Sequence, residues 1–167
     1  DLMDRNITKV TLFFFFLQYS NTTTLSSIRG FMRCVKELDF KAEINVVENY
    51  PTYSGFIESC IEKIKECEVD YRDYVLLLSA HSIPQQMVDN GDPYKDEIKK
   101  SAAALQEKLT KQGINFKNVV ICYQSKMGPI KWLEPTTIDT IKEYRDSNIM
   151  IYPLAFSIDN SETIYEL

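Results

Sequence analysis

Residues 75–94 read VLLLSAHSIPQQMVDNGDPY, and they contain the only histidine in the chain. Val75-Leu76-Leu77-Leu78 is an unbroken apolar run, the pattern of a strand buried on both faces in a parallel sheet covered by helices. Pro84 and Asn90-Gly91 mark the end of regular structure soon afterwards. His81 is therefore expected just past the carboxyl end of a central strand. In an open parallel sheet the ligand crevice lies outside those ends. The position suits chemistry, although a loop histidine held by ordinary hydrogen bonds has the same sequence appearance.

Outward from this strand the chain repeats one unit. On the N-terminal side, Lys9 to Leu17 reads as a strand and Ser26 to Leu38 as a helix with Ile28, Phe31, Met32, Val35 and Leu38 on one face. Ala42 to Val47 is the next strand. Phe56 to Cys67 is a helix whose stripe is Phe56, Ile57, Cys60, Ile61 and Ile64, with Glu58, Glu62, Lys63 and Lys65 outside it.

On the C-terminal side, Asp92-Pro93 reads as a helix cap and first helical residue. That helix runs to about Gln112, turns Ile98, Ala102, Leu105 and Leu109 inward and stops at Gly113. Val119 to Tyr123 is a strand, Gly128 to Pro135 an irregular loop and Thr137 to Asp146 a helix. Ile149 to Phe156 is the fifth strand, and Ser161 opens another helix. Such alternation specifies an α/β fold with a parallel β-sheet and flanking helices, joined by right-handed crossovers. One domain over residues 1–167 is expected from the length.

This organisation puts Tyr19, His81, Tyr123, Trp132 and Glu162 beyond the ends of expected strands or in the loops leaving them, so they are expected to line one rim of the sheet. Aromatic rings beside one imidazole and one carboxylate suit a flat, apolar ligand with a charged centre. Trp132 also reads as an ordinary core residue, and Asp159-Asn160-Ser161-Glu162 has the spacing of a capping box. In such a box Asp159 would cap the last helix while Glu162 reached back to the cap.

Composition narrows the classes further. A net charge of −5 and a pI near 5.0 argue against a nucleic-acid surface. No apolar run is long enough to span a bilayer, and the Thr11–Leu17 stretch is too short and too aromatic for a signal-peptide core. A cytoplasmic location follows as the expectation, with peripheral membrane contact left open. Cys34, Cys60, Cys67 and Cys122 show no C-x-x-C spacing and read as reduced structural thiols.

Three blocks carry a resemblance: LLLSAHSIPQQMVDNGDPY at residues 76–94, YQSKMGPIKWLEPTT at 123–137 and PLAFSIDNSETIYEL at 153–167. Read in that order, and continued more weakly by QYSNTTTLSS at 18–27 and NYP at 49–51, they resemble the ferrochelatases, which insert ferrous iron into a porphyrin. The resemblance implies a lyase of haem biosynthesis, with protoporphyrin IX and ferrous iron as substrates and no cofactor beyond the iron. It implies His81 and Glu162 as catalytic and iron-binding residues, and Tyr19, Tyr123 and Trp132 as porphyrin contacts. Asp159 matches an acidic family position, whereas Asn160 stands where the family frequently has a second histidine. Phe13 to Phe16 replace the prolines and tyrosine usual before Gln18-Tyr19-Ser20.

The resemblance further implies a chelatase-like half of a two-domain protein. The chain corresponds to the C-terminal catalytic portion, with the N-terminal domain as its missing partner and the C-terminal tail absent. An iron–sulfur cluster, carried by some family members nearer the C-terminus, is left open. Two alternatives stand beside this reading: a chelatase for another metal or tetrapyrrole, and a porphyrin- or haem-binding module without catalysis.

Overall fold

The computed structural model describes Leu2 and residues 4–165; Asp1, Met3 and the end of the last block, Glu166-Leu167, lie outside the described residues. Among the described residues five strands form: β1 (Lys9–Phe13), β2 (Glu43–Val47), β3 (Tyr74–His81), β4 (Asn118–Gln124) and β5 (Asn148–Pro153). Between and after them run α1 (Ser26–Glu37), α2 (Ser54–Lys65), the short α3 (Gln85–Asp89), α4 (Tyr94–Lys111), α5 (Thr137–Glu143) and α6 (Ser161–Tyr165). The pairings among these strands are parallel, as the α/β alternation requires. α3 falls where the sequence reads as loop; it is little more than one turn, too short for a periodic apolar stripe to announce it.

The parallel strands expected from the sequence divide between two sheets. β1 and β2 make a two-stranded sheet, and β4-β3-β5 a separate three-stranded one with β3 in the centre. β1 also ends at Phe13 rather than at Leu17. Beyond it the carbonyls of Phe14 and Leu17 accept hydrogen bonds from the Tyr50 hydroxyl and the Tyr50 N–H. The chain there is held by the loop after β2 and not by a ladder.

β3 carries the apolar run as expected but continues through His81, which closes the strand rather than following it. Residues 75–80 are buried without exception, on both faces. Leu76, Leu78 and Ala80 join a core with Ile57, Cys60, Ile61 and Ile64 of α2 and Ile98, Leu105 and Leu109 of α4. Val75 and Leu77 face the other way, with Cys122 and the half-buried Ile149, Ile151 and Tyr144. Period-two alternation on a strand with both faces covered produces two cores from one apolar run.

Local signals set the helix that carries most of this core. Asp92 Oδ1 accepts from the Tyr94 N–H at 3.0 Å, and Gly113 takes a φ of 74° just past the other end. Those are the cap and stop that Asp92-Pro93 and Gly113 encode.

The two-stranded sheet is fastened to α4 by polar contacts. Ser20 Oγ and the Asn21 N–H both donate to Asp92 Oδ2 at 2.8 Å. Gln18 Nε2 donates to Ser101 Oγ at 2.9 Å, and Asn49 Nδ2 to Glu97 Oε2 at 2.7 Å. Gln18, Ser20, Asp92, Glu97 and Ser101 are all buried. Buried polar groups must find partners, so these residues fix how the segment after β1 lies along the main core.

Candidate active site

At the seam between the two sheets lies a cleft of about 530 Å³. One wall is the segment after β1, with Phe15, Phe16 and Leu17. The end of β3 supplies His81 and the segment beyond it Ile83 and Met87, together with Trp132 from the loop after β4. The segment after β5 supplies Phe156, Ile158 and Glu162. Parallel strands all deliver their exits to one side, which is why segments far apart in sequence meet here.

His81 is the last residue of β3, and its Nδ1 lies 2.7 Å from Glu162 Oε2. A carboxylate is an acceptor, so the neutral imidazole carries its proton on Nδ1 and keeps Nε2 as the accepting nitrogen. Neither group is sealed off: the side chains are 42% and 30% exposed. Ser125 Oγ donates to the same Glu162 oxygen at 3.2 Å.

The capping box is present but shifted by one residue. Asn160 Oδ1 accepts from the Glu162 N–H at 2.9 Å and from the Thr163 N–H at 3.4 Å, while Thr163 Oγ1 accepts from the Asn160 N–H at 2.9 Å. Asn160 and Thr163 therefore make the reciprocal cap. Glu162, which the Asp159-to-Glu162 spacing would have tied to the helix start, is left free to reach His81. Asn160 also lines the cleft, and Asp159 is exposed beside it.

The other expected contacts separate. Trp132 is half-buried on the cleft wall, outside the core clusters, with its indole N–H donated to the Met127 carbonyl at 2.8 Å. Tyr123 is 3% exposed and packs in the core against α2 and α4, where burial pushes its phenol up to about 12. Its place near the end of β4 was legible, but strand alternation turns its side chain inward. Tyr19 is half-buried and not among the cleft-lining residues, whereas its neighbours Leu17, Gln18 and Ser20 are.

Sequence reasoning missed Phe156 and Ile158, which complete the apolar lining, and Ser125. Phe156 lies beyond β5, which ends at Pro153 and not at Phe156. The N-x-x-T spacing of Asn160 and Thr163 was the available signal for the true cap. Among the described residues no group of three or more His, Cys, Asp or Glu side chains converges on a metal site, and no helix is long and apolar enough to cross a membrane.

Comparison with known proteins accounts for the whole length. The ferrochelatase family profile matches residues 1–167. The ferrochelatase of Helicobacter pylori strain J99 is 41% identical over 172 residues, covering all of this chain and 51% of that protein. The ferrochelatase of Wolinella succinogenes is 40% identical over 169 residues, covering all of this chain and 54% of its own length. The chain thus spans about half the length of the curated relatives it matches. With the profile matched from end to end, the chain belongs to the ferrochelatase family.

Proposed function

We propose that this chain supplies the metallating half of a ferrochelatase, which inserts ferrous iron into protoporphyrin IX to give protohaem. The observation that carries the reading is the His81–Glu162 pair at the edge of an aromatic-walled cleft. Insertion releases the two pyrrole N–H protons of the porphyrin as iron takes their place. Nε2 of His81, its lone pair free once the iron has passed to the ring, accepts one such proton while the other leaves to water at the open cleft, and Glu162 compensates the imidazolium so formed through the 2.7 Å contact on Nδ1. The same two side chains offer nitrogen and oxygen donors to ferrous iron on its way to the ring. Two protein ligands hold a metal in transit less tightly than a closed set of four, as substrate delivery requires.

Apolar walls hold the macrocycle. Phe15, Phe16, Trp132, Phe156 and Ile158 offer flat or branched apolar surface, and Trp132 is fixed by its bond to Met127. Tyr19 and Tyr123, placed away from this lining, are left out of the porphyrin contacts. The reading includes a cytoplasmic location, the other half of the protein as partner, and no resident cofactor.

The test is anaerobic iron insertion by a full-length protein carrying this chain. His81→Ala is expected to leave porphyrin affinity within about threefold and to lower the insertion rate by roughly 10²- to 10⁴-fold, the usual contribution of a positioned acid–base group. Glu162→Gln is expected to act in the same direction. Because Asn160 and Thr163 make the cap, this variant leaves the helix start intact and reports on the carboxylate alone. Retained insertion in both variants would remove the pair from the chemistry, whereas porphyrin binding with no insertion by the unmodified protein would leave a porphyrin-binding module in place of an enzyme.

A further inference from the structure

We infer that Ser125 is a positioning residue that holds the Glu162 carboxylate on His81, an inference that rests on the role proposed for that pair. Glu162 belongs to a five-residue helix, which is too short to be rigid by itself. Its Oε2 nevertheless meets His81 Nδ1 at 2.7 Å, and the Ser125 hydroxyl donates to the same oxygen at 3.2 Å. Three separate segments converge on one atom. Two donors on one oxygen fix the carboxylate in both distance and rotation, where one donor would leave it free to pivot.

The backbone shows how the hydroxyl gets there. Gln124 is the last residue of β4 and sits opposite His81 in the ladder. Ser125 follows it with a φ of 65°, in the left-handed region that a residue with a Cβ avoids and glycine or asparagine adopts readily. The turn takes the chain out of strand geometry one residue past the histidine's partner, and the side chain reaches Glu162. A loop that needed only this bend would be best served by glycine. Serine keeps the strained bend and adds a donor.

The two roles of residue 125 are separable by substitution in a full-length protein carrying this chain. Ser125→Gly relieves the left-handed strain but removes the hydroxyl. It is expected to melt at or above the wild-type temperature while kcat for iron insertion falls by roughly 10- to 100-fold at unchanged KM for porphyrin, the range seen when a group orienting a functional side chain is lost. Ser125→Asn keeps a donor on a residue that tolerates the same φ, and is expected to recover most of that loss. In the same full-length protein the His81 Nδ1 proton is identified in nitrogen-15 NMR by its absence from the spectrum of His81→Ala. Its hydrogen-bonded resonance is expected in the wild type and in Ser125→Asn, and is expected to be lost in Ser125→Gly.

Wild-type kcat in Ser125→Gly overturns the inference, as does loss of stability in parallel with kcat. Glu162→Gln separates its failure from that of the underlying reading. If Glu162→Gln abolishes insertion while Ser125→Gly does not, only the serine's role falls; if Glu162→Gln inserts iron normally, the role of the pair falls first.

Discussion

α1 and α2 are both twelve-residue helices with an apolar stripe, each in the unit of strand and helix that the chain repeats, yet the tertiary structure treats them differently. Ile57, Cys60, Ile61 and Ile64 of α2 are at most 2% exposed. α1 buries no residue fully; Met32 of its stripe and Leu38, which caps its end, are 42% and 61% exposed. The strands follow suit: β3 is buried from Val75 to Ala80, while β1 has no buried position. Two regions written in the same pattern therefore divide the work. The β3 region supplies the stability, and the β1 region, held by polar contacts to α4, lends the cleft an aromatic wall at Phe15 and Phe16.

The contrast can be broken most sharply at its stable end. Leu78→Ala removes a side chain with no exposed surface at the centre of β3 and is expected to lower unfolding stability by about 2–5 kcal/mol in urea denaturation. A loss below about 1 kcal/mol would mean that the core is looser than its burial implies.

Thiol reactivity measures the same contrast without mutation. Burial pushes the Cys60 thiol up to about 11, so at pH 8 it stays protonated and shielded. Cys34 on α1 and Cys67 after α2 are exposed. Alkylation of the folded chain, read by mass spectrometry, is expected to modify Cys34 and Cys67 first and Cys60 at least about a hundredfold more slowly. Equal rates would show that the core opens as readily as the surface.

At the seam, Asp92→Ala leaves Ser20 Oγ and the N–H groups of Asn21 and Tyr94 without their acceptor. The expected cost is about 1–3 kcal/mol, together with weaker porphyrin binding as the Phe15–Phe16 wall loses its anchor. A stability change with no change in binding would place the aromatic wall outside the ligand's reach. The smallest effect is expected on α1, where Met32→Gln keeps helix propensity on an exposed position and should shift stability by no more than about 0.5 kcal/mol. A larger loss would reveal that the stripe is covered in solution.

The site was legible in pieces. His81 could be placed at the end of β3 because a four-residue apolar run and a following proline are local signals. Glu162 could not be assigned from spacing, since a capping box from Asp159 and one from Asn160 differ by one residue and both are chemically sound. Tyr123 shows the opposite failure, in which the right strand end was found but the pleat sends the ring into the core. Trp132 had two readings in sequence, and its place on the wall follows from how the 125–135 loop crosses the exit of β3, where Leu133 N–H bonds to the Ile83 carbonyl.

By itself the sequence determined the α/β class, the order of the main elements and where they start to within about two residues, and the segment that carries the histidine. These depend on periodicity, caps and turn residues acting within a few positions of one another. The tertiary structure decided that the strands form two sheets and which of two equivalent helical stripes is buried. It also decided that Glu162, 81 residues from His81, meets it at 2.7 Å. Those outcomes depend on which surfaces pack together and which buried polar groups find partners across the chain, and no local pattern of residues encodes that choice.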